Sequence, residues 1–545
     1  MPKLEMILPP ERIAFAKAGG FWPDQILLDY FDRNTQRHPE RLAVTGYNSM
    51  KACQCQLTTG ELDRHSRSIA AALLQRGIEP GDVVSAQLPN WWEMIALHLA
   101  ALRVGAVFNP LMPMFREREL KFMLNLAQSK LIVAPERFRD FEHGRMLQAL
   151  RPELPHLQHI VVIGAGGPNS FEDMLTQSPG DLDAEFARRR PGADEVIEVL
   201  YTSGTTGEPK GVMHTSNTLM SNMRQQARIQ GFNENDVTLM SSPLAHQTGF
   251  LYGIMMPIMT AGRVVLQDFW KPSEAVDLIE REGVTFSMGS TPFLADLLEA
   301  AQGRREALRT LNVFIAAGAP IPRLLVRRAA DDFGVKVCSM WGMSENGPAA
   351  FTRPDDPPSR TLETDGCAAP GTELRVVDDA GVPVASGAEG RLMVRGAGMF
   401  VGYLLRPELY ATDKDGWFDT GDLARMDDAG YLRITGRSKD VIIRGGENIP
   451  VIEIENLLYQ HPAVAEVAIV AMPDPRLNER ACAFVVLRPG QSLTMEEMSR
   501  HLLAQKCAKA YLPERLEVLD AMPRNATGKI QKFVLRDRAR ELTQR

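Results

Sequence analysis

Apolar runs suited to strands alternate with stretches of helical periodicity along most of this chain, which predicts an α/β architecture. The clearest helix opens at Thr58, with Glu61 three residues on completing a capping box. Leu62, Ile69, Leu73 and Leu74 then share one face, and Gly77 marks the stop. The spacing predicts buried strands over Gly81 to Leu88, Val196 to Tyr201, Val313 to Ala317 and Val335 to Ser339. A boundary falls near Gly436-Arg437-Ser438-Lys439-Asp440. Beyond it come strand Val441 to Arg444, helix Val451 to Gln460, and strands Val464 to Ala471 and Ala481 to Leu487. A helix over Met495 to Lys506 and a strand over Leu516 to Leu519 complete a small α/β unit. The expected division is a large N-terminal domain of layered sheets and helices over 1–436, a connector over 437–440 and a small domain over 441–545.

Length supports more than one unit, since 545 residues exceed what one core holds and imply two to four domains. Hydrophobic content of 44% and charged content of 24% are those of an ordinary soluble globular protein. A net charge of −7 argues against a broad nucleic-acid-binding surface, and any polyanionic ligand would need a locally positive pocket. The longest uncharged run, about Gln247 to Gly262, is too short to span a bilayer and contains Pro257; it reads as a buried element. Met6-Ile7-Leu8 stops at Pro9-Pro10, so no signal peptide is expected, and the C-terminal Leu-Thr-Gln-Arg matches no retention or peroxisomal signal. The cysteines are scattered; Cys53 and Cys55 have neither zinc nor redox spacing and read as free thiols of a reducing cytosol. His156 and His159 lack the carboxylate or cysteine neighbours that would complete a metal site. A soluble cytoplasmic protein without a membrane span is expected.

The chemistry concentrates in Tyr201-Thr202-Ser203-Gly204-Thr205-Thr206-Gly207-Glu208-Pro209-Lys210-Gly211. Glycines let a backbone turn sharply and approach a ligand closely. Such a turn aims several N–H groups at one anion. The hydroxyls add donors, and Lys210 adds a point charge suited to phosphate. The string follows a strand and is not a Walker loop, since no Gly-x-x-x-x-Gly-Lys-Ser/Thr is present. Further on stand Gly318-Ala319-Pro320, Met340-Trp341-Gly342-Met343-Ser344-Glu345, Gly416-Trp417-Phe418-Asp419-Thr420-Gly421-Asp422 with Arg437, and Pro523-Arg524-Asn525-Ala526-Thr527-Gly528-Lys529-Ile530.

Taken in this order, the motifs resemble those of the acyl-adenylate-forming enzymes, which include acyl-CoA synthetases, luciferases and peptide-synthetase adenylation domains. The resemblance covers roughly residues 25 to 540. It implies ATP and Mg²⁺ as cofactors, CoA as co-substrate, and a small mobile C-terminal lid turning about Lys439. It gives the triphosphate to Thr202, Ser203, Gly204, Thr205, Thr206, Gly207 and Lys210. Gly318, Ala319 and Pro320 would line the adenine, with Trp341 packed near it where most relatives carry Tyr. Gly342 and Met343 would belong to the ATP site, Ser344 would contact the α-phosphate region, and Glu345 would hold Mg²⁺, whose hard charge prefers carboxylate oxygen. Asp422 would accept from the ribose hydroxyls, a role open to a carboxylate, with Arg437 assisting. Lys529 would bridge the attacking carboxylate and the α-phosphate, so Lys529, Glu345 and Lys210 are the expected catalytic groups.

The same resemblance implies two half-reactions. A carboxylate attacks the α-phosphorus of ATP to give an acyl-adenylate and pyrophosphate, and a thiol then takes the acyl group and releases AMP. Lys529 must leave for the second, a lid motion that would bring Gly445, Gly446 and Glu447 to the pantetheine arm. Relatives usually read Asn-Ile-Tyr-Pro there; Asn448-Ile449-Pro450 moves the proline forward by one. For the acid, Ser242 to Phe250 has no carboxylate to pair a substrate ammonium, which disfavours amino acids. His246, Gln247, Phe250 and Met343 are the expected acyl-pocket residues; His246 either gates the carboxylate or is a buried hydrogen-bonded histidine. The whole pattern is most similar to bacterial medium-chain fatty-acid and alicyclic-acid CoA ligases, cyclohexanecarboxylate–CoA ligases among them. An enzyme loading an external acyl carrier protein and a silent nucleotide sensor are the alternatives, and a homodimer stays open.

Overall fold

The helix Trp92–Val104 shows how this chain builds its interior. Ile95, Leu97, Leu99, Ala101 and Leu102 all point into protein, and a helix apolar on every side has to be surrounded. Gly105 ends it at φ 73°, the left-handed cap that an L side chain disfavours. Cutting Leu99 to Ala would cost about 2–5 kcal/mol through lost burial and the cavity left behind. The computed structural model describes residues 4–202, 209–318, 321–438, 441–444, 447–525 and 528–543.

Two mostly parallel sheets contribute to one continuous core around this helix. The first, among the described residues, runs in the order His159–Ile163, Leu131–Pro135, Val83–Ala86, Val107–Pro110, Val196–Thr202, Lys210–Thr215, with only the last pair antiparallel. Its inner strands are near-continuous apolar runs because both faces are covered. The second sheet carries Phe286–Ser290, Val313–Ala317 and Lys336–Met343 side by side and in parallel. Residues Ser290, Ala317 and Met343 therefore close the same edge, where ligands of open α/β sheets gather.

A third, antiparallel sheet follows: Thr372–Val377, Glu389–Gly396, Phe418–Met426, Leu432–Arg437. Its last two strands set Asp422 directly opposite Arg437. The smaller C-terminal domain has its own core, with Ile454, Val467, Ala483 and Leu502 buried together. There Val464–Asp474 pairs with Asn478–Leu487, flanked by Ile442–Arg444 and Arg515–Val518. The fold is thus mixed α/β with a large N-terminal and a small C-terminal part, as the patterning implied.

Some elements differ from the sequence reading. The strand over 335–339 continues to Met343, because its end pairs antiparallel with Gly347–Phe351. The strand read over 81–88 is Val83–Ala86. The uncharged run after Gln247 is helical and buried, with a wide turn over Phe250–Met255. The helix Lys532–Thr543 escaped the reading, since only Leu535 and Ala539 of it are buried among many charges.

Candidate active site

Lys210 begins the strand Lys210–Thr215 opposite Thr202, the last residue of Val196–Thr202, so both flank the glycine-rich turn. Ser203, Gly204, Thr205, Thr206 and Gly207 lie outside the described residues, as do Ala319, Pro320, Lys439, Gly445 and Gly446. The Lys210 Nζ stands 4.9 Å from the ring centre of Tyr403, a cation–π distance. Tyr403 in turn donates its hydroxyl to Oε1 of Glu345 at 2.8 Å. Glu345 is buried, and that burial raises its carboxyl above the ordinary value. The Tyr403 hydrogen bond and the charges of Lys210 and Arg437 act the other way and favour the anion.

Backbone contacts fix the turn that presents Glu345. A Cβ on Gly342 would sit 2.1 Å from the Gly347 carbonyl oxygen, so only glycine allows the two strands to approach here. Asn346 Oδ1 accepts from the Met343 N–H at 2.9 Å, and Asn222 donates to the Asn346 carbonyl at 2.9 Å. His214 Nε2 meets the Ser344 carbonyl at 2.7 Å while its Nδ1 meets Thr218 Oγ1. Burial lowers the His214 pKa to about 4, so the ring is neutral and its Nε2–H donates.

A second group adjoins the first. The indole Nε1 of Trp341 donates to Asp422 Oδ2 at 2.9 Å, and Arg437 Nε donates to Oδ1 at 3.0 Å. Asp422 is buried while half of the Arg437 side chain is exposed. A buried carboxylate with an indole, a guanidinium and a polar mouth offers hydrogen bonding to a hydroxylated ligand. Gly318 follows the strand Val313–Ala317 with φ 77°, a turn conformation that suits glycine.

The C-terminal domain closes on this edge. The carbonyl of Gly528 accepts from Arg524, which also pairs with Glu466, and Asn525 Oδ1 accepts from the Lys529 N–H at 2.9 Å. Gly528 lies against Ser290 and Phe293 of the large domain, where a Cβ would come within 3.0 Å of Ser290 Oγ. The Lys529 charge reaches His246, which burial first and Lys529 second hold down to about 4. His246 is neutral at pH 7; its Nδ1 accepts from the Thr248 N–H. Gly249 permits this tight turn, since a Cβ there would strike the Pro243 carbonyl oxygen at 2.0 Å. Gln247 and Phe250 are buried beside His246, and Met343 is half-buried. Glu447 begins a short strand paired with Ile442–Arg444.

The fold therefore brings Lys210, Glu345, Trp341, Asp422 and Arg437 together, with Lys529 facing His246 at the same edge. Sequence reasoning missed Tyr403, His214 and Asn222, which lie outside the glycine motifs, and Asn346, which directly follows one of them. It also passed over Glu198, whose signal was available: a carboxylate inside the apolar run Val196-Ile197-Glu198-Val199-Leu200.

A model of the AMP-binding enzyme family matches residues 31–404, and that of the AMP-binding enzyme C-terminal domain matches residues 453–529. The chain is 39% identical over 546 residues to the medium-chain fatty-acid–CoA ligase of Escherichia coli (strain K12), covering 99% of this chain and 95% of that one. It is 34% identical to a salicylyl-CoA synthase / salicylate adenylyltransferase of Streptomyces sp, over 97% of this chain and 96% of that one. The crystal structure of ATP-bound MatB from Rhodopseudomonas palustris superposes with a TM-score of 0.85 at 29% identity, covering 95% and 100% of the two chains. This chain belongs to the AMP-binding enzyme family. Within it, the chain is an AMP-forming ligase of the acyl-CoA synthetase type.

Proposed function

We propose that this protein is an ATP-dependent acid–CoA ligase. It activates a medium-chain fatty or alicyclic carboxylic acid as an acyl-adenylate, passes the acyl group to CoA, and releases AMP and pyrophosphate. The observation that carries this reading is the convergence of Lys210, Glu345 and the Asp422–Arg437 pair at one edge, with Lys529 facing it from the smaller domain. The name of the Escherichia coli relative supports the fatty acid, and that of the Streptomyces relative supports an aryl acid.

In this reading Lys210 and the turn before it hold the β- and γ-phosphates, and Asp422 with Arg437 holds the ribose beside an adenine packed near Trp341. Lys529 draws the acid's carboxylate and the α-phosphate together; neutral His246 adds no second positive charge there. The donor set fits Mg²⁺ held mainly by substrate. Among the described residues no group of three His, Cys, Asp or Glu could hold a metal, so Glu345 would offer the ion a single hard oxygen. Bound there, Mg²⁺ would neutralise phosphate charge. The thioester step requires Lys529 to withdraw, by rotation about Lys439 between a domain of residues 1–436 and a lid of residues 441–545. Gly445, Gly446 and Glu447 would then meet the pantetheine arm of CoA. The unpaired described cysteines suit a cytoplasmic enzyme, and no helix among the described residues is long and apolar enough to cross a membrane.

The test is acid-dependent AMP release from ATP and Mg²⁺ with acetate, octanoate, palmitate, benzoate and cyclohexanecarboxylate, each with CoA or with a phosphopantetheinylated carrier protein. Release that requires CoA and peaks with octanoate or cyclohexanecarboxylate is expected. Turnover only with the carrier protein would overturn the CoA assignment, and a peak with benzoate would overturn the acid.

A further inference from the structure

Behind His246 lies a set of buried polar groups that the steps above do not use. Glu198 is fully buried in the middle of Val196–Thr202, and Gln247 is buried beside it. The Gln247 amide lies near enough to favour the Glu198 anion, yet neither side chain completes a hydrogen bond of normal geometry. All four of their polar atoms are without a partner among the described residues. His98, also buried, has both ring nitrogens in the same state. Its ring stands 5.0 Å from that of Phe108 and 4.9 Å from that of Phe250. Buried polar atoms are nearly always paired, so several orphans in one place ask for a ligand that pairs them.

Their position says which ligand. Glu198 is in register with His214 on one neighbouring strand and with Phe108 on the other, so all three project from the same face of the sheet. His214 holds the Ser344 carbonyl at the phosphate side. Gln247 follows His246, which faces Lys529. The orphan groups thus lie on the sheet face that carries His214 and Phe108, close to the ring of Phe250; in the proposed reading the acyl group extends toward them. The segment Ser242 to Phe250 has no carboxylate of its own, but the fold supplies one from an earlier strand.

We infer that Glu198 and Gln247 form a polar floor to the acyl pocket, and that the acid activated here carries a hydroxyl group bound by both. The inference rests on the reading of His246, Gln247 and Phe250 as acyl-pocket residues. Burial pushes the Glu198 carboxyl up to about 8, so at pH 7 it is mostly neutral and both donates and accepts. A neutral carboxyl beside a neutral amide matches a hydroxyl, which also donates and accepts. A site built around such a group discriminates strongly against the analogue lacking it, because the polar atoms are then left unpaired.

The experiment is ATP–pyrophosphate exchange with paired acids: cyclohexanecarboxylate against its 2-, 3- and 4-hydroxy derivatives, octanoate against 3- and 8-hydroxyoctanoate, and 4-aminocyclohexanecarboxylate as the cationic control. At least one hydroxylated acid should exceed its unsubstituted partner by about tenfold or more in kcat/KM. Glu198→Leu and Gln247→Leu should each bring that ratio to about one, and Glu198→Gln should keep part of it. A ratio taken within one enzyme does not depend on how much of the variant folds. Unsubstituted acids favoured in every pair, ratios unmoved in the variants, preference for the amine, or no exchange with any hydroxylated acid would overturn the inference. Exchange does not need CoA. Intact exchange with a hydroxylated acid but no CoA-dependent AMP release would support the inference while sinking the ligase reading.

Discussion

Trp341 Nε1 donates to Asp422 Oδ2 at 2.9 Å, tying the end of one sheet to the middle of another. Arg437 occupies the other carboxylate oxygen. The geometry of the Asp422 carboxylate is therefore set from both sides. Trp341→Phe keeps the aromatic wall and removes the donor. A hydrogen bond to a charged group contributes about 1.5–3 kcal/mol, so the KM for ATP should rise about tenfold or more. Steady-state kinetics with ATP varied would show it, and an unchanged KM would remove the indole from the nucleotide site.

The Tyr403 hydroxyl favours the ionised form of Glu345 against the burial that raises its pKa. Tyr403→Phe takes that support away and pushes the pKa further up. The anion is the form that would bind Mg²⁺, so the acid limb of the pH–rate profile should move to higher pH. Half-saturation by Mg²⁺ should rise with it. A profile and Mg²⁺ dependence identical to the parent's would refute the role given to Glu345.

Lys529→Ala should cost about 10²–10³-fold or more in adenylate formation, since it removes a charge placed where charge develops. Thioester formation from a supplied acyl-adenylate should be nearly unaffected, because in the proposed mechanism Lys529 withdraws for that step. Equal loss in both half-reactions would mean that the variant disturbs the lid as a whole.

How much of this was legible in the sequence differs from residue to residue. Lys210, Glu345, Asp422, Arg437 and Lys529 each sit in a glycine-punctuated string whose turn chemistry is visible without a structure, and the fold brings them to one edge. Tyr403 and His214 are not visible that way. Each acts through a partner more than fifty residues away in sequence, Glu345 and Ser344 respectively. The α/β class followed from strand and helix periodicity. The extension of Lys336–Met343 did not, because it depends on pairing with a later strand. Glu198 was legible as a misfit in an apolar run, but its nearness to Gln247 is a product of the tertiary fold.

Glu198 also leaves a mark on stability. Its folded pKa of about 8 lies above the ordinary carboxylate value of 4.5. Below that ordinary value both states are protonated and nothing is lost. As pH rises toward 8 the unfolded chain ionises while the folded protein does not, so stability falls through this window, by up to a few kcal/mol. Glu198→Gln removes the effect. Its melting temperature should exceed the parent's by more at pH 8 than at pH 5, as calorimetry would show. A gain equal at both pH values would place Glu198 in a wetter setting than the one described.

The most direct measurement is a rapid-quench single turnover with enzyme in excess over labelled octanoate or cyclohexanecarboxylate, ATP and Mg²⁺, first without CoA and then with CoA added. The account predicts that acyl-adenylate builds up on the enzyme with release of pyrophosphate, and that CoA converts it to acyl-CoA and AMP. Acyl-CoA formed with no adenylate before it, or an adenylate that CoA does not discharge, would contradict it.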